Sequence, residues 1–183
     1  VLGAIGLSST HPVVFALHGG SGRGRAYLWS WVAACRSRGA ILVAPTSLGQ
    51  TWAIQGDDRD SPHLASILAF VRRKWTIDPQ RILLTGMSDG GAFSYTSGLL
   101  AGSPFTHLAP VAAAFHPMLA AMAEGERMNG LPIHIIHGQR DWIFHVAMAQ
   151  EAPADVDVGL ANRLLDLLEG HARRVQSGRV RLE

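Results

Sequence analysis

The sequence predicts an α/β fold: a three-layer sandwich with a mostly parallel central sheet and helices on both faces. Two observations predict it. Short apolar runs of strand length recur along the chain, each bounded by glycine, proline or polar breakers. Helical apolar periodicity fills several of the gaps between them. Strands that are apolar throughout need cover on both faces, and parallel neighbours need a crossover long enough to hold a helix.

Each element can be justified in order. Val13 to Leu17 is an apolar run followed by His18-Gly19-Gly20 and a glycine-rich turn. Ala26 to Ser37 reads as a helix, with Leu28, Trp31, Val32 and Cys35 at three-to-four spacing. Ala40 to Ala44 is a second strand, stopped by Pro45, and Thr46 to Asp60 is loop-like. Ser61-Pro62 predicts a helix start, with Ser61 as N-cap and proline in the first turn. Leu64, Ile67, Leu68, Val71 and Trp75 give that helix one apolar face, and Asp78-Pro79 predicts a turn. Ile82 to Thr85 is a third strand, and a helix from about Gly90 to Leu100 follows it. Ala109 to Phe115 and Pro132 to Ile136 are the fourth and fifth strands. Asp155 to Val158 suggests a very short sixth, and Leu160 to Leu168 outlines a last helix.

Composition narrows the function classes. A chain of 183 residues supports one domain with a hydrophobic core, so residues 1–183 are expected to form a single unit. Hydrophobic types at 48% and charged types at 16% exclude a disordered chain. No stretch reaches the about 18 apolar residues of a membrane span. The net charge of +2 is small and its basic residues are scattered, so no nucleic-acid partner is expected. A single cysteine, Cys35, excludes a CxxC metal or redox site and leaves only histidine and carboxylate as zinc ligands. The opening V-L-G-A-I-G-L-S-S-T lacks a basic segment and does not read as an intact signal peptide. A soluble protein is expected, cytoplasmic ahead of secreted, with a homodimer left open.

The chemistry is carried by Gly86-Met87-Ser88-Asp89-Gly90, a G-x-S-x-G directly after a predicted strand and before a predicted helix. That context lifts Ser88 onto an exposed, tight turn as a candidate nucleophile. The alternative is a plain strand-to-helix turn with a capping serine. His18-Gly19-Gly20 follows the first strand, where a backbone N–H of Gly19 or Gly20 can form one arm of an oxyanion hole. The N–H of Asp89 supplies the other arm. Asp141, just past the fifth strand in Gly138-Gln139-Arg140-Asp141, is the candidate acid that orients a histidine. His18, Trp52, Met87, Trp142 and His145 are candidates for the substrate pocket. Neither a full G-x-G-x-x-G context nor a Walker lysine nor an H-E-x-x-H helix is present.

The stretches V-V-F-A-L-H-G-G, R-I-L-L-T-G-M-S-D-G-G and I-I-H-G-Q-R-D together resemble the α/β-hydrolase superfamily. More closely, they resemble the phospholipase/carboxylesterase and polyhydroxybutyrate-depolymerase-like serine esterases. The resemblance implies an α/β-hydrolase three-layer sandwich with Ser88 as nucleophile and Asp141 as acid. It implies oxyanion donors near Gly19 and Asp89, carboxylic esters as substrates, and no metal; no cofactor is expected, and an apolar wall from Trp52 and Trp142 would suit a small or medium acyl ester. It also places the catalytic histidine in a loop between the last strand and the last helix. Here those two segments meet almost directly. Only His145 and His171 follow Asp141 in the chain. His171 has the more workable separation, and His145 is too near Asp141 to bridge easily to Ser88. The third possibility is a base among residues absent from this sequence between about 150 and 162. Competing readings are a thioesterase or peptidase with the same nucleophile, and a hydrolase-like binding protein without a base.

Overall fold

The structure is a computed structural model that describes residues 10–116, 127, 130–138, 140, 141, 143 and 157–159. Six strands form one sheet: β1 (His11–Leu17), β2 (Ile41–Val43), β3 (Ile77–Met87), β4 (His107–Val111), β5 (His134–Ile136) and β6 (Asp157–Gly159). Their order is β2-β1-β3-β4-β5-β6, and every pairing is parallel. The helices are α1 (Gly24–Tyr27), α2 (Trp29–Ser37), α3 (Asp60–Lys74) and α4 (Asp89–Gly98).

Alternation along β1 builds the three layers. Val13, Phe15 and Leu17 join Leu64, Leu68 and Val71 of α3, Phe93 and Tyr95 of α4, and Leu99 just after α4 in one core. Val14 and Ala16 point the other way and join Trp31 and Cys35 of α2 in a second core. A strand buried on both faces has no polar face to show, which is why β1 reads as one apolar run. Burial pushes the Cys35 thiol up to about 11, so it behaves as a small core side chain.

Several boundaries differ from the sequence expectation. The first helix is interrupted at Leu28 and forms two pieces, α1 and α2. Helix α3 begins at Asp60 and not after a Ser61 cap. Asp58 accepts the Ser61 N–H at 2.9 Å, and the Ser61 hydroxyl instead donates to Ser97 on α4 at 2.8 Å. Pro62 is still within the first turn, where a missing N–H costs nothing. The Asp78-Pro79 turn lies inside β3 as an irregularity: β1 advances from His11 to Val13 while β3 advances from Ile77 to Ile82. Strand β4 ends at Val111 because Ala112 takes a positive φ of 46°. The segment expected to hold the last helix lies outside the described residues.

Tyr95 is fully buried, and its hydroxyl finds no hydrogen-bond partner among the described residues. Burial pushes its phenol well above the ordinary range. Removing an unpaired buried hydroxyl removes its desolvation cost. Tyr95→Phe is therefore expected to leave stability unchanged or raise it by about 1 kcal/mol in urea unfolding; a loss of that size would reveal a partner.

Candidate active site

Strand β3 passes into α4 through Ser88, which sits at φ 55° and ψ −120°. A side chain rarely tolerates that backbone, and the strain is concentrated on one residue. Its neighbours show why the chain reverses there. A Cβ on Gly86 would meet the Gly90 carbonyl group and Leu17 Cβ at 2.8 Å or closer. A Cβ on Gly90 would lie 2.5 Å from the His18 carbonyl oxygen and 2.7 Å from that of Leu17. Both glycines are thus required by the close approach of the elbow to β1. Ser88 N–H is fixed in turn by the Val111 carbonyl at 3.0 Å. Ser88 itself is partly exposed, and Met87 beside it is 42% exposed.

The turn after β1 lies against this elbow. A Cβ on Gly19 would sit 3.6 Å from Ser88 Cβ and 3.6 Å from the Met87 terminal methyl. The Gly19 carbonyl is held from behind by His18 Nδ1 at 2.7 Å and by Gly22 N–H at 3.1 Å. In a trans peptide the N–H points opposite to the carbonyl, so pinning the Gly19 carbonyl also fixes the Gly20 N–H. That N–H has no hydrogen-bond partner among the described residues. Asp89 is the first residue of α4, so its N–H has no intrahelical acceptor. Both N–H groups belong to segments that lie against Ser88 or follow it directly in the chain.

His18 is 2% exposed and works from behind the turn. Ser47 N–H donates to its Nε2 at 3.1 Å, which leaves the ring proton on Nδ1 for the Gly19 carbonyl. Trp52 is also 2% exposed, and it lies in the core with no open face toward a pocket. Its indole N–H donates to the His18 carbonyl at 2.8 Å, and its ring stacks between His18 and Phe93. Of the five pocket candidates, Met87 alone among the described residues is exposed beside Ser88. Trp142, His145 and His171 lie outside the described residues.

Asp141 follows β5 and is partly buried. Its Oδ1 accepts the Ile143 N–H at 2.9 Å, and its own N–H donates to the Gly138 carbonyl at 3.1 Å. His137 Nδ1 stands 3.9 Å from Asp141 Oδ2. Burial holds the His137 imidazole below its ordinary range, and the Asp141 carboxylate opposes that shift. His18, Ser88 and Asp141 thus sit past the carboxyl ends of β1, β3 and β5, the edge where open α/β sheets bind ligands. The described residues contain no group of three histidine, cysteine or acidic side chains able to hold a metal.

Sequence reasoning missed Asp60. It is 2% exposed, and its two oxygens accept Leu48 N–H and Ala53 N–H, each at 2.9 Å. This carboxylate closes the loop that packs Trp52 beneath the site. The signal was present as an acid just before Ser61-Pro62, but the cap reading absorbed it.

If the elbow stores strain, glycine at position 88 must relieve it. Ser88→Gly is expected to unfold about 1 kcal/mol later than Ser88→Ala, once the greater unfolded-state freedom of glycine is offset. Matching denaturation midpoints would show that position 88 is unstrained.

No protein-family model matches the chain. It is 29% identical over 143 residues to the bifunctional acetylxylan esterase/xylanase XynS20E of Neocallimastix patriciarum, a match that covers 74% of this chain and 20% of that protein. The chain therefore spans about a fifth of the length of that curated relative. Among solved structures it is similar to esterase PE8, with a TM-score of 0.64 at 18% identity over 96% of this chain and 97% of that one. It is also similar to the acetyl xylan esterase from Aspergillus awamori, with a TM-score of 0.67 at 17% identity over 80% and 68% of the two chains. No described helix is long and apolar enough to cross a membrane. Parallel sheet, flanking helices and structural neighbours agree that the chain has the α/β-hydrolase fold.

Proposed function

We propose that this chain is a serine hydrolase of carboxylic esters and works through an acyl-enzyme. The observation that carries the reading is Ser88, held at φ 55° on the turn from β3 into α4 with the Gly19 turn against it. Ser88 Oγ attacks the ester carbonyl carbon as its proton passes to a histidine. The carbonyl oxygen becomes negative and is held by the N–H groups of Asp89 and of Gly19 or Gly20. The carbon–oxygen bond to the alcohol then breaks, and the alcohol leaves with the proton from the histidine. Water repeats the attack on the acyl-serine and restores Ser88.

Asp141 is the acid that orients and stabilises the histidine. The base comes from His171, from His145, or from residues outside this sequence. The exposed Met87 methyl lying near Gly19 suits a small apolar acyl group. The likeness to two proteins named for acetylxylan supports an acetyl ester as the first substrate to try.

The test is turnover of p-nitrophenyl acetate together with labelling by a fluorophosphonate probe. Ser88→Ala is expected to abolish both, with a loss of about 10⁴-fold or more in kcat, and Asp141→Asn to lose about 10³- to 10⁴-fold. A Ser88→Ala variant that still hydrolyses the ester at the original rate sinks the assignment.

A further inference from the structure

The geometry points to the Asp89 side chain, together with Thr51, as a positioning device for the oxyanion hole; this rests on the serine-hydrolase reading above. Three chain segments meet at this spot. Thr51 Oγ1 donates to Asp89 Oδ2 at 2.5 Å, a short charge-assisted bond between the loop after β2 and the first residue of α4. The same oxygen lies against Gly20, where an added Cβ would come within 2.7 Å of it. Ser21 N–H donates to the Gln50 carbonyl at 3.2 Å, next to Thr51 in the chain.

The two candidate oxyanion donors belong to different segments: Asp89 to the elbow, Gly19 or Gly20 to the turn after β1. No backbone hydrogen bond between those two segments is present among the described residues. Beyond the packing of Gly19 on Ser88, the Asp89 carboxylate joins the two through a side chain. It packs on Gly20 on one side and is held by Thr51 on the other, while Gln50 holds the far end of the turn. Fixing its position fixes the separation of the two donors. Such donors act only when they stand within about 0.2 Å of hydrogen-bond distance to the developing oxyanion. The role of this side chain is therefore geometric, and the substrate need not touch it.

The bond is solvent-exposed, so it contributes little to stability. A purely structural role would thus leave catalysis unmoved. A positioning role lowers kcat while leaving KM near its original value, because the affected interaction strengthens in the transition state.

The experiment measures kcat and KM on p-nitrophenyl acetate, with fluorophosphonate labelling, for the wild type and four variants. Thr51→Val and Asp89→Ala are expected to lose about tenfold in kcat with KM within about twofold, a fraction of the 10²- to 10³-fold loss from deleting a donor outright. Thr51→Ser restores the hydroxyl and is expected to recover wild-type kcat. Asp89→Asn keeps an acceptor for Thr51 and is expected to stay within about threefold of wild type. Wild-type kcat in Thr51→Val overturns the inference and leaves the serine-hydrolase reading intact. A loss in Asp89→Asn equal to that in Asp89→Ala also overturns it, since charge and not geometry would then matter. A wild type that neither labels nor turns over overturns the hydrolase reading and this inference together.

Discussion

The close approach of the β3–α4 reversal to β1 sets the terms for everything around it. Gly86 and Gly90 bring one backbone against another at distances no side chain survives. Helix α4 can then start immediately over the sheet, and its glycines continue the contact. Gly91 lies where a Cβ would touch Ala113 at 2.7 Å, and Gly98 where one would touch the Leu108 side chain. Ser88 is left as the one residue that must absorb the change of direction, at a φ that costs on the order of 1–3 kcal/mol. The packing of α4 on three strands supplies the compensation. A strained serine is thus a consequence of a helix seated unusually deep.

Depth also brings buried polar atoms that need partners. The loop from Thr46 to Ala53 turns three N–H groups inward, and each is answered by a side chain. His18 Nε2 takes Ser47, and Asp60 takes Leu48 and Ala53. The imidazole can do this only as the neutral Nδ1–H tautomer, since a second ring proton would face the Ser47 N–H. The histidine in the H-G-G motif is therefore committed to holding backbone. It is unsuited to proton transfer at Ser88, although it follows the strand next to the elbow.

Strand positions and the elbow were legible from the sequence because they depend on local pattern. Apolar runs mark strands buried on both faces, and glycine spacing marks a backbone contact. The strand ends were less legible. Nothing in Ala112 announces a positive φ; that angle follows from the packing of the turn after β4 against α4. Trp52 reads as a pocket residue by its place in the loop, and only its ring contacts with His18 and Phe93 place it in the core. Thr51 carries no sequence signal at all. Its partner Asp89 lies 38 residues away and meets it only through the fold. Asp141 lies just past β5, as its place in the sequence indicates, whereas nothing in the sequence announces the buried His137 beside it.

A carboxylate beside the proposed oxyanion hole poses an electrostatic problem that the geometry also resolves. A negative charge on the Asp89 carboxylate opposes the charge that develops on a substrate carbonyl. At 4 Å that repulsion is about 4 kcal/mol in a partly dry site and about 1 kcal/mol in water. Asp89 and Thr51 meet at the solvent-exposed surface, so the smaller value governs. The Thr51 hydroxyl further draws charge toward Oδ2, on the side facing the loop. In the proposed site the backbone donors act at contact distance, where each is worth about 2.7–4 kcal/mol to a transition state. Short-range donation therefore outweighs screened repulsion. The balance holds only while the carboxylate stays turned toward Thr51, which makes the orientation of that side chain, more than its charge, the quantity the fold must control.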